Sequence, residues 1–186
     1  KKQAHIAEER VKQLEQELEQ VSELVREDQL TGALNRRGLD DVLDREIKRA
    51  DRQQTPISIA LLDVDNFKQL NDSLGHQTGD QALVHLIQVI KNALRPTDEV
   101  ARYGGEEFLI ILIDTSLEEA MTTLTRLQRE LTKNLFLYNN ERQLITFSAG
   151  VALHVNGEDP ESTIGRADSA MYKAKRAGKN RVFAAD

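Results

Sequence analysis

Residues 99–113 read Glu-Val-Ala-Arg-Tyr-Gly-Gly-Glu-Glu-Phe-Leu-Ile-Ile-Leu-Ile and place a Gly-Gly pair between two apolar runs. This arrangement predicts a β-hairpin with strands over residues 99–103 and 107–113. Glu106 and Glu107 follow the glycines directly, so the turn carries two carboxylates. A turn without side chains also lets a ligand approach the backbone closely. The hairpin is therefore a candidate binding site as well as a structural element.

The rest of the chain alternates between helical and extended patterns. Outward from the hairpin, the patterns predict helices over residues 36–52, 67–74, 79–94, 117–135 and 160–177, and strands over residues 57–64, 144–154 and 181–183. Strand 57–64 is almost continuously apolar, which is typical of a strand buried on both faces. The order β-α-β-β-α-β predicts a ferredoxin-like α+β fold: an antiparallel sheet flanked by helices, with an extra hairpin or strand near the end.

The first 28 residues carry a heptad pattern. The apolar positions of this seam are Ala4, Ala7, Val11, Leu14, Leu18, Val21 and Val25. A narrow seam of period 3.5 with charged flanks predicts a two-stranded coiled coil. The alternative is a single amphipathic helix that lies on an upstream domain. The repeat stops at Asp28 and Gly32 favours a bend, so we expect a stalk over residues 1–27 and a globular domain over residues 28–186.

Composition excludes several classes of function. The chain has 186 residues and no cysteine, which excludes disulfides and thiolate metal sites. Its net charge of −6 argues against a nucleic acid polymer as partner. No apolar run approaches the roughly 20 residues that span a bilayer, and no signal peptide is visible. The lack of cysteine fits a reducing cytosol. The chain begins at Lys1 rather than Met, so we expect a fragment of a longer protein.

Carboxylates also mark the end of strand 57–64. Asp63 ends a buried apolar run, where an unpartnered charge would be costly, so a cation is expected nearby. Strand alternation places Asp63 and Asp65 on one face. If the hairpin strand is the neighbour of this strand, Glu106 and Glu107 lie beside Asp63. Oxygen ligands without His or Cys suit Mg²⁺. The alternative is an acidic hairpin that is simply exposed to water.

Four ordered blocks between Asp28 and Val182 resemble the motifs of the GGDEF family of diguanylate cyclases. The blocks are residues 28–37 (Asp-Gln-Leu-Thr-Gly-Ala-Leu-Asn-Arg-Arg), residues 63–80 from Asp-Val-Asp-Asn-Phe-Lys to Gly-His-Gln-Thr-Gly-Asp, the hairpin 102–108 in a Gly-Gly-Glu-Glu-Phe variant, and residues 167–182. The resemblance implies a palm-like, nucleotide-cyclase-like fold in a bacterial cytoplasmic protein. It also implies an enzyme that condenses two GTP into cyclic di-GMP and two pyrophosphates.

The resemblance assigns the catalytic and metal-binding roles to the strand end and the hairpin. Asp63 and Glu106 are expected to hold two Mg²⁺ or Mn²⁺ ions, with the Val64 carbonyl as a further ligand. Glu107 is expected to be an additional ligand or a proton acceptor. Asp65 is expected to support these groups rather than to bind the ions.

The resemblance also assigns GTP-binding residues. They are Phe67, Lys68, Asn71, Asp80, Gly104, Gly105, Lys175 and Lys179. Backbone amides at a helix start cradle phosphates, and two lysines four residues apart can face the same way. Asp80 with Asn71 would read the N1–H and N2–H₂ donors of guanine. The alternatives are helix capping by Asn71 and Asp80 and complementation of a helix dipole by the lysines.

A second nucleotide site is implied by Arg95-Pro96-Thr97-Asp98, which resembles the family's inhibitory Arg-x-x-Asp motif. Arginine suits the O6/N7 edge of guanine. Arg126 and Arg49 are expected as accessory arginines for bound cyclic di-GMP. The alternative for Arg95 and Asp98 is a solvated ion pair at a helix end.

Ring closure between two GTP molecules requires two protomers, so the resemblance implies a homodimer joined by the stalk. A missing N-terminal sensory or receiver domain would control it. A non-catalytic GGDEF domain that binds GTP or cyclic di-GMP as a receptor is the main alternative. Another nucleotidyl cyclase or polymerase and a purely structural scaffold are weaker ones, because neither explains all four blocks.

Overall fold

The computed structural model describes residues 1–186, apart from the side chain of Glu23. Its helices are α1 (Lys2–Leu24), α2 (Arg36–Gln53), α3 (Phe67–Leu74), α4 (His76–Ala93), α5 (Leu117–Lys133) and α6 (Pro160–Arg176). Its strands are β1 (Ile57–Val64), β2 (Glu99–Arg102), β3 (Glu107–Ile113), β4 (Phe136–Tyr138), β5 (Glu141–Gln143), β6 (Phe147–Leu153) and β7 (Val182–Ala184).

The main sheet has the strand order β2-β3-β1-β6-β7. β1 lies at its centre, antiparallel to β3 and β6, and all eight β1 residues are buried. The predicted antiparallel sheet flanked by helices is confirmed for β2, β3, β1 and β6. β7 instead runs parallel to β6, so the sheet is mixed. The reason is that α6 carries the chain back along the sheet between these two strands, as a parallel connection requires.

Helices cover both faces of this sheet. On one face α4 and α5 pack side chains such as Leu86 and Leu124 against Phe108 of β3. On the other face α2 and α6 contribute Leu39 and Met171 to a second apolar cluster. α6 lies so close to β6 that a Cβ atom on Gly150 would clash with the backbone of α6. The absence of a side chain at residue 150 therefore permits this close packing of α6 on β6.

The boundaries differ from prediction at a few places. α4 begins at His76, three residues before the predicted start, because Gly75 adopts φ 92° and separates it sharply from α3. β6 begins at Phe147 rather than at residue 144. The preceding residues form the small β4–β5 hairpin, whose turn contains Asn139 and Asn140 at φ 48° and 63°. These two asparagines therefore close a separate two-stranded unit.

α1 projects from the domain with its apolar seam uncovered. The described side chains of residues 1–22 are all exposed, including Leu14 at 48% and Leu18 at 72%. An apolar stripe of this kind is unusual on a helix without a partner. None of the described helices combines the length and apolar character needed to cross a membrane.

The junction after α1 is a tight, hydrogen-bonded loop. Asp28 accepts hydrogen bonds from the backbone and hydroxyl of Thr31, at 3.0 and 2.7 Å, and Gly32 adopts φ 74°. Arg102 of β2 donates to the same carboxylate at 3.3 Å. The predicted bend at Gly32 is thus confirmed, and the loop is attached to the strand that leads into the Gly-Gly hairpin.

Replacing this carboxylate should make stability less dependent on pH. Burial alone would raise the pKa of Asp28, but the hydrogen bonds from Thr31 and the charge of Arg102 outweigh it and lower that pKa. A carboxyl with a lowered pKa stabilises the fold above its unfolded pKa, and this contribution disappears as pH falls through the folded pKa. We expect Asp28→Asn to lower the free energy of unfolding by about 1–2 kcal/mol at neutral pH.

Urea unfolding of both proteins during acidification from about pH 7 to about pH 3 measures this difference. The gap between wild type and Asp28→Asn should narrow as the solution becomes acidic. A gap that stays constant over this range would contradict the assignment.

Candidate active site

The centre of the site is a cross-strand pair of carboxylates. The β1–β3 register places Asp63 directly opposite Glu107, and directly opposed residues point to the same face of a sheet. Asp63 is buried, with 8% of its surface exposed. The backbone N–H of Val64 donates to the Glu106 carbonyl at 3.2 Å, which attaches the hairpin turn to the end of β1. The structure therefore brings Asp63 beside the hairpin, with Glu107 as its immediate neighbour.

A lysine from the end of α6 lies against this pair. Lys175 Nζ is 3.1 Å from Asp63 Oδ2. The buried carboxylate thus has a cationic group beside it, as its burial requires. Lys175 lies in the last turn of α6, so it also complements the helix dipole.

The carboxyl groups of Asp63 and Glu107 both have raised pKa values, so their ionised forms are disfavoured in the folded protein. Burial raises the pKa of Glu107, and the charges of Asp63 and Asp168 raise it further. Burial also raises the pKa of Asp63, although the hydrogen bond and charge of Lys175 oppose this effect. Carboxyls whose ionised form is disfavoured in this way gain from a bound cation, which takes the place of the protons.

Space for the Glu107 carboxylate is provided by Gly104. A Cβ atom at Gly104 would lie 2.9 Å from Glu107 Oε2. The backbone N–H groups of Tyr103 and Gly104 both donate to the Glu107 carbonyl, at 2.8 and 3.1 Å. Neither Gly104 nor Gly105 adopts a positive φ. A side chain at residue 104 would therefore displace the end of the flexible Glu107 side chain rather than strain the backbone.

Two arginines hold the hairpin in place. Arg102 donates to the Gly105 carbonyl at 2.8 Å and also contacts Asp28 of the α1–α2 junction. Arg36, the first residue of α2, donates to the Tyr103 carbonyl at 3.0 Å, and its guanidinium lies 4.0 Å from the centroid of the Tyr103 ring. Neither arginine was predicted as a site residue. Arg36 lies in the motif block 28–37 and Arg102 in the block 102–108, and these positions were the sequence signal that could have identified them as site residues.

The start of α3 faces the second lysine. α3 begins at Phe67 and Lys68 after Asn66, which adopts φ 57°, and Lys179 Nζ donates to Asn66 Oδ1 at 2.6 Å. The predicted helical spacing between Lys175 and Lys179 is wrong, because α6 ends at Arg176. Lys179 reaches this place through the turn that follows the helix. Free amides at a helix start can bind an anion, and here Lys179 lies beside them.

Asn71 and Asp80 lie on the neighbouring helices α3 and α4. The N-cap residues of these helices are Asn66 and Gly75, so the alternative that Asn71 and Asp80 are helix caps is wrong. Asn71 Oδ1 is buried against Gly79 and has no hydrogen-bond partner among the described residues, whereas Asp80 is exposed. A buried polar atom without a partner requires an explanation. A ligand that donates a hydrogen bond would provide one.

Asp168 is a site residue that the sequence analysis did not assign. It lies on α6 and lines a cavity of about 660 Å³ together with Glu107, Arg36 and Tyr103. Asp168 and Lys175 are seven residues apart, which places them on one face of the helix two turns apart. That spacing within the closing motif was the signal for a shared site.

The four predicted inhibitory residues lie away from this centre. Arg95 contacts Asp98 through its backbone N–H at 3.1 Å and through its side chain at 3.5 Å. The Asp98 side chain is only 2% exposed, so the alternative of a solvated ion pair is wrong for Asp98. Arg126 donates to the carbonyl of Ala93, two residues before Arg95. Arg49 lies on α2 and pairs with Glu46 at 3.7 Å.

Protein side chains alone do not complete a metal shell here. In the part of the chain that the structure describes, no group of three or more Asp, Glu, His or Cys side chains is arranged to hold an ion. Asp63 and Glu107 offer two carboxylates, and the donor set consists of oxygens. This chemistry fits a hard divalent cation that takes its other ligands from backbone carbonyls, water and substrate phosphates.

Comparison with known proteins identifies the family to which the chain belongs. The family model "Diguanylate cyclase, GGDEF domain" matches residues 25–181. The chain is 42% identical over 156 residues to diguanylate cyclase DosC of Escherichia coli, covering 83% of this chain and 34% of DosC. It is 37% identical over 172 residues to response regulator PleD of Caulobacter vibrioides, covering 91% of this chain and 38% of PleD. The chain thus spans about a third of the length of these relatives.

Solved structures of GGDEF domains also resemble this chain. The GGDEF domain of DgcB from Caulobacter crescentus, in complex with c-di-GMP, superposes with a TM-score of 0.82 at 40% identity and covers 86% of this chain and 95% of that chain. A DgcB structure of the coiled coil and GGDEF domain has a TM-score of 0.82 at 38% identity and covers 98% of each chain. These matches confirm the fold class and the resemblance seen in the sequence. The chain belongs to the GGDEF-domain family of diguanylate cyclases.

Proposed function

We propose that this chain condenses two GTP molecules into cyclic di-GMP, releasing two pyrophosphates. The observation that carries the proposal is the pairing of Asp63 with Glu107 beside Lys175, at the edge where α3 presents its first amides. Phosphoryl transfer requires little covalent chemistry from the protein, so positioning and charge neutralisation supply most of the catalysis. The names of the relatives DosC and DgcP, both diguanylate cyclases, support the same reaction.

Asp63 and Glu106 are the proposed ligands of two Mg²⁺ or Mn²⁺ ions, with the Val64 carbonyl and Glu107 as further ligands. The raised pKa values of Asp63 and Glu107 support this role, because these groups gain from a cation. Bound divalent ions lower the pKa of the attacking 3′-hydroxyl and neutralise charge on the phosphates. Glu107, which lies opposite Asp63, is also proposed to accept a proton at this edge.

The triphosphate lies in this proposal between the start of α3 and the end of α6. The amides of Phe67 and Lys68 donate to phosphate oxygens, and Lys175 and Lys179 supply positive charge. Gly104 and Gly105 leave the hairpin backbone open to the phosphates. Lysine binds phosphate as a point charge without the bidentate geometry of arginine. Lys179 therefore neutralises the charge of the triphosphate more than it sets the orientation of the phosphates.

Guanine is proposed to bind between α3 and α4. A carboxylate at Asp80 can accept the N1–H and N2–H₂ donors together, and adenine offers no such pair. Asn71 Oδ1, buried without a partner among the described residues, supports a ligand at this place. Because the exposed Asp80 is not engaged in a cap, it is available for this contact.

Each domain holds one GTP, so we propose that two protomers face each other and that α1 forms a two-stranded coiled coil. The uncovered seam of α1 supports this, as does the match to a DgcB structure named for its coiled coil. Linking the domains raises the concentration of one half-site around the other. An N-terminal sensory or receiver domain would control activity by shifting the stalk between two packings.

A test of the reaction uses purified protein incubated with GTP and Mg²⁺, with the nucleotide products identified by mass spectrometry. Cyclic di-GMP and pyrophosphate are the expected products, and Glu106→Ala serves as the control that loses them. Binding of GTP without turnover would instead indicate a non-catalytic receptor. A different cyclic or linear nucleotide would contradict the proposal.

Cyclic di-GMP is proposed to inhibit the enzyme through Arg95, Asp98, Arg126 and Arg49. Asp98 Oδ1 is buried and lacks a partner among the described residues, which leaves an acceptor for a guanine donor. The DgcB GGDEF domain in complex with c-di-GMP supports binding of this product to a similar domain.

Arg95→Ala should weaken product inhibition. A bidentate contact between arginine and guanine contributes about 1–3 kcal/mol, so the inhibitory concentration of cyclic di-GMP should rise by about tenfold. Initial rates measured at increasing added cyclic di-GMP test this, each variant normalised to its own rate without product. Arg129→Ala, an exposed arginine on the same helix as Arg126, is the matched control. An unchanged inhibition curve for Arg95→Ala would reject the site.

A further inference from the structure

Asp65 is fully engaged in hydrogen bonds although it lies between the proposed metal and phosphate sites. Its Oδ2 accepts from the Thr146 hydroxyl at 2.7 Å and from the Asn180 backbone N–H at 2.9 Å. Its Oδ1 accepts from the Ser148 hydroxyl at 2.6 Å. Short contacts of this kind are typical of hydrogen bonds to an ionised carboxylate. Asp65 therefore connects the end of β1 to β6 and to the turn after α6.

The turn after α6 has an unfavourable backbone. Gly178, Lys179 and Asn180 have φ values of 122°, 63° and 47°. Two consecutive non-glycine residues in the left-handed region persist only where surrounding contacts hold them. The Asn180 N–H that binds Asp65 lies inside this turn, and the Lys179 N–H donates to the Ala174 carbonyl at 3.1 Å. The carboxylate of Asp65 is thus one of the groups that fix the turn.

The conformation of this turn sets the position of the Lys179 side chain. Lys179 Nζ donates to Asn66 Oδ1 at 2.6 Å, and Asn66 immediately precedes α3. Asp65 and Asn66 therefore hold the backbone and the side chain of the same turn at the helix start. If the turn relaxed to an ordinary conformation, the ammonium group would leave this position.

We propose that Asp65 is a positioning residue for the triphosphate: it holds residues 178–180 so that the Lys179 ammonium faces the start of α3. Asp65 itself does not contact the substrate. This inference rests on the proposed function, because it takes the triphosphate to lie beside Lys179. It predicts a defect confined to recognition of the outer phosphates, with the contacts to guanine intact.

The test compares two ligands that share the base. 3′-Deoxy-GTP lacks the attacking hydroxyl and cannot react, and GMP lacks the outer phosphates. Calorimetry gives the dissociation constant of each for wild type, Asp65→Asn, Lys179→Met and the double variant. Asp65→Asn should weaken 3′-deoxy-GTP by about tenfold, the effect of losing one charge-assisted contact, and GMP by less than about twofold. Lys179→Met should behave in the same way.

The double variant distinguishes positioning from a general structural role. If Asp65 acts through Lys179, Asp65→Asn should cause little further loss in the Lys179→Met background, because coupled residues are not additive. Multiplied losses in the double variant, or equal weakening of GMP and 3′-deoxy-GTP by Asp65→Asn, would overturn the inference. So would an unchanged ratio of the two constants.

A milder variant covers the case in which Asp65→Asn does not fold. Thr146→Val removes one donor to Asp65 and keeps the side-chain shape, so it should weaken 3′-deoxy-GTP by about threefold and leave GMP unchanged. Equal constants in Thr146→Val and wild type would then overturn the inference. If the wild type does not bind 3′-deoxy-GTP, the proposed function is overturned as well. If the variants bind both ligands and the ratio of the GMP and 3′-deoxy-GTP dissociation constants equals that of the wild type, the inference alone is overturned.

Discussion

Asp63→Asn is expected to lower the rate of cyclic di-GMP formation by about a thousandfold or more. Asp63 lies opposite Glu107 and beside Lys175, and it is the one carboxylate proposed to serve the metals from β1. Metal ions supply several kcal/mol of charge stabilisation in phosphoryl transfer, and each 1.4 kcal/mol is about a factor of ten. Steady-state rates with GTP and Mg²⁺ measure the loss.

Two controls separate this loss of activity from a loss of fold. The pKa of Asp63 is raised by burial, so its ionised form is disfavoured in the folded state and a neutral amide should leave the melting temperature almost unchanged. Glu118→Gln removes an exposed carboxylate in the first turn of α5, and it should keep nearly full activity. Activity of Asp63→Asn within about tenfold of wild type would contradict a metal-binding role.

The second large effect is expected in the stalk. The paired change Leu14→Glu with Leu18→Glu places charges in the exposed seam of α1 and should separate the protomers. Losing the linkage lowers the effective concentration of the second half-site, so specific activity at micromolar protein should fall by about a hundredfold or more. Sedimentation velocity and rates over a range of protein concentrations test both parts. The rate should become second order in protein.

A matched control adds the same charges to the opposite face of the stalk. Gln16→Glu with Gln20→Glu lies outside the apolar seam, so it should remain dimeric with unchanged activity. If the leucine variant keeps the wild-type specific activity at every protein concentration, the stalk does not join the catalytic halves.

Much of the fold could be predicted from local pattern. The bounds of β1, α3 and β3 agree with prediction, because continuous apolar runs end at Asp63-Val64 and at Ile113, and Gly75 ends the short helix. The parallel pairing of β7 could not be predicted, because a three-residue strand carries no periodicity of its own. The early start of α4 depends on the positive φ of Gly75, which no side chain signals.

The site divides in the same way. Convergence of Asp63 with the hairpin follows from adjacent antiparallel strands, but the register that selects Glu107 as its direct neighbour depends on the folded pairing. The contact of Lys179 with Asn66 depends on a left-handed turn rather than on helical spacing. The partners of Asp65 lie more than 80 residues away along the chain, beyond any local pattern.

The proposed reaction depends on divalent cations that Asp63 and the hairpin carboxylates hold against a triphosphate. Crystals grown with Mn²⁺ and 3′-deoxy-GTP test this directly, because anomalous scattering locates manganese without ambiguity. We expect manganese peaks about 2.1–2.2 Å from oxygens of Asp63 and of Glu106 or Glu107, each also bound to a phosphate oxygen. An ordered triphosphate with no manganese bound to Asp63 would contradict it.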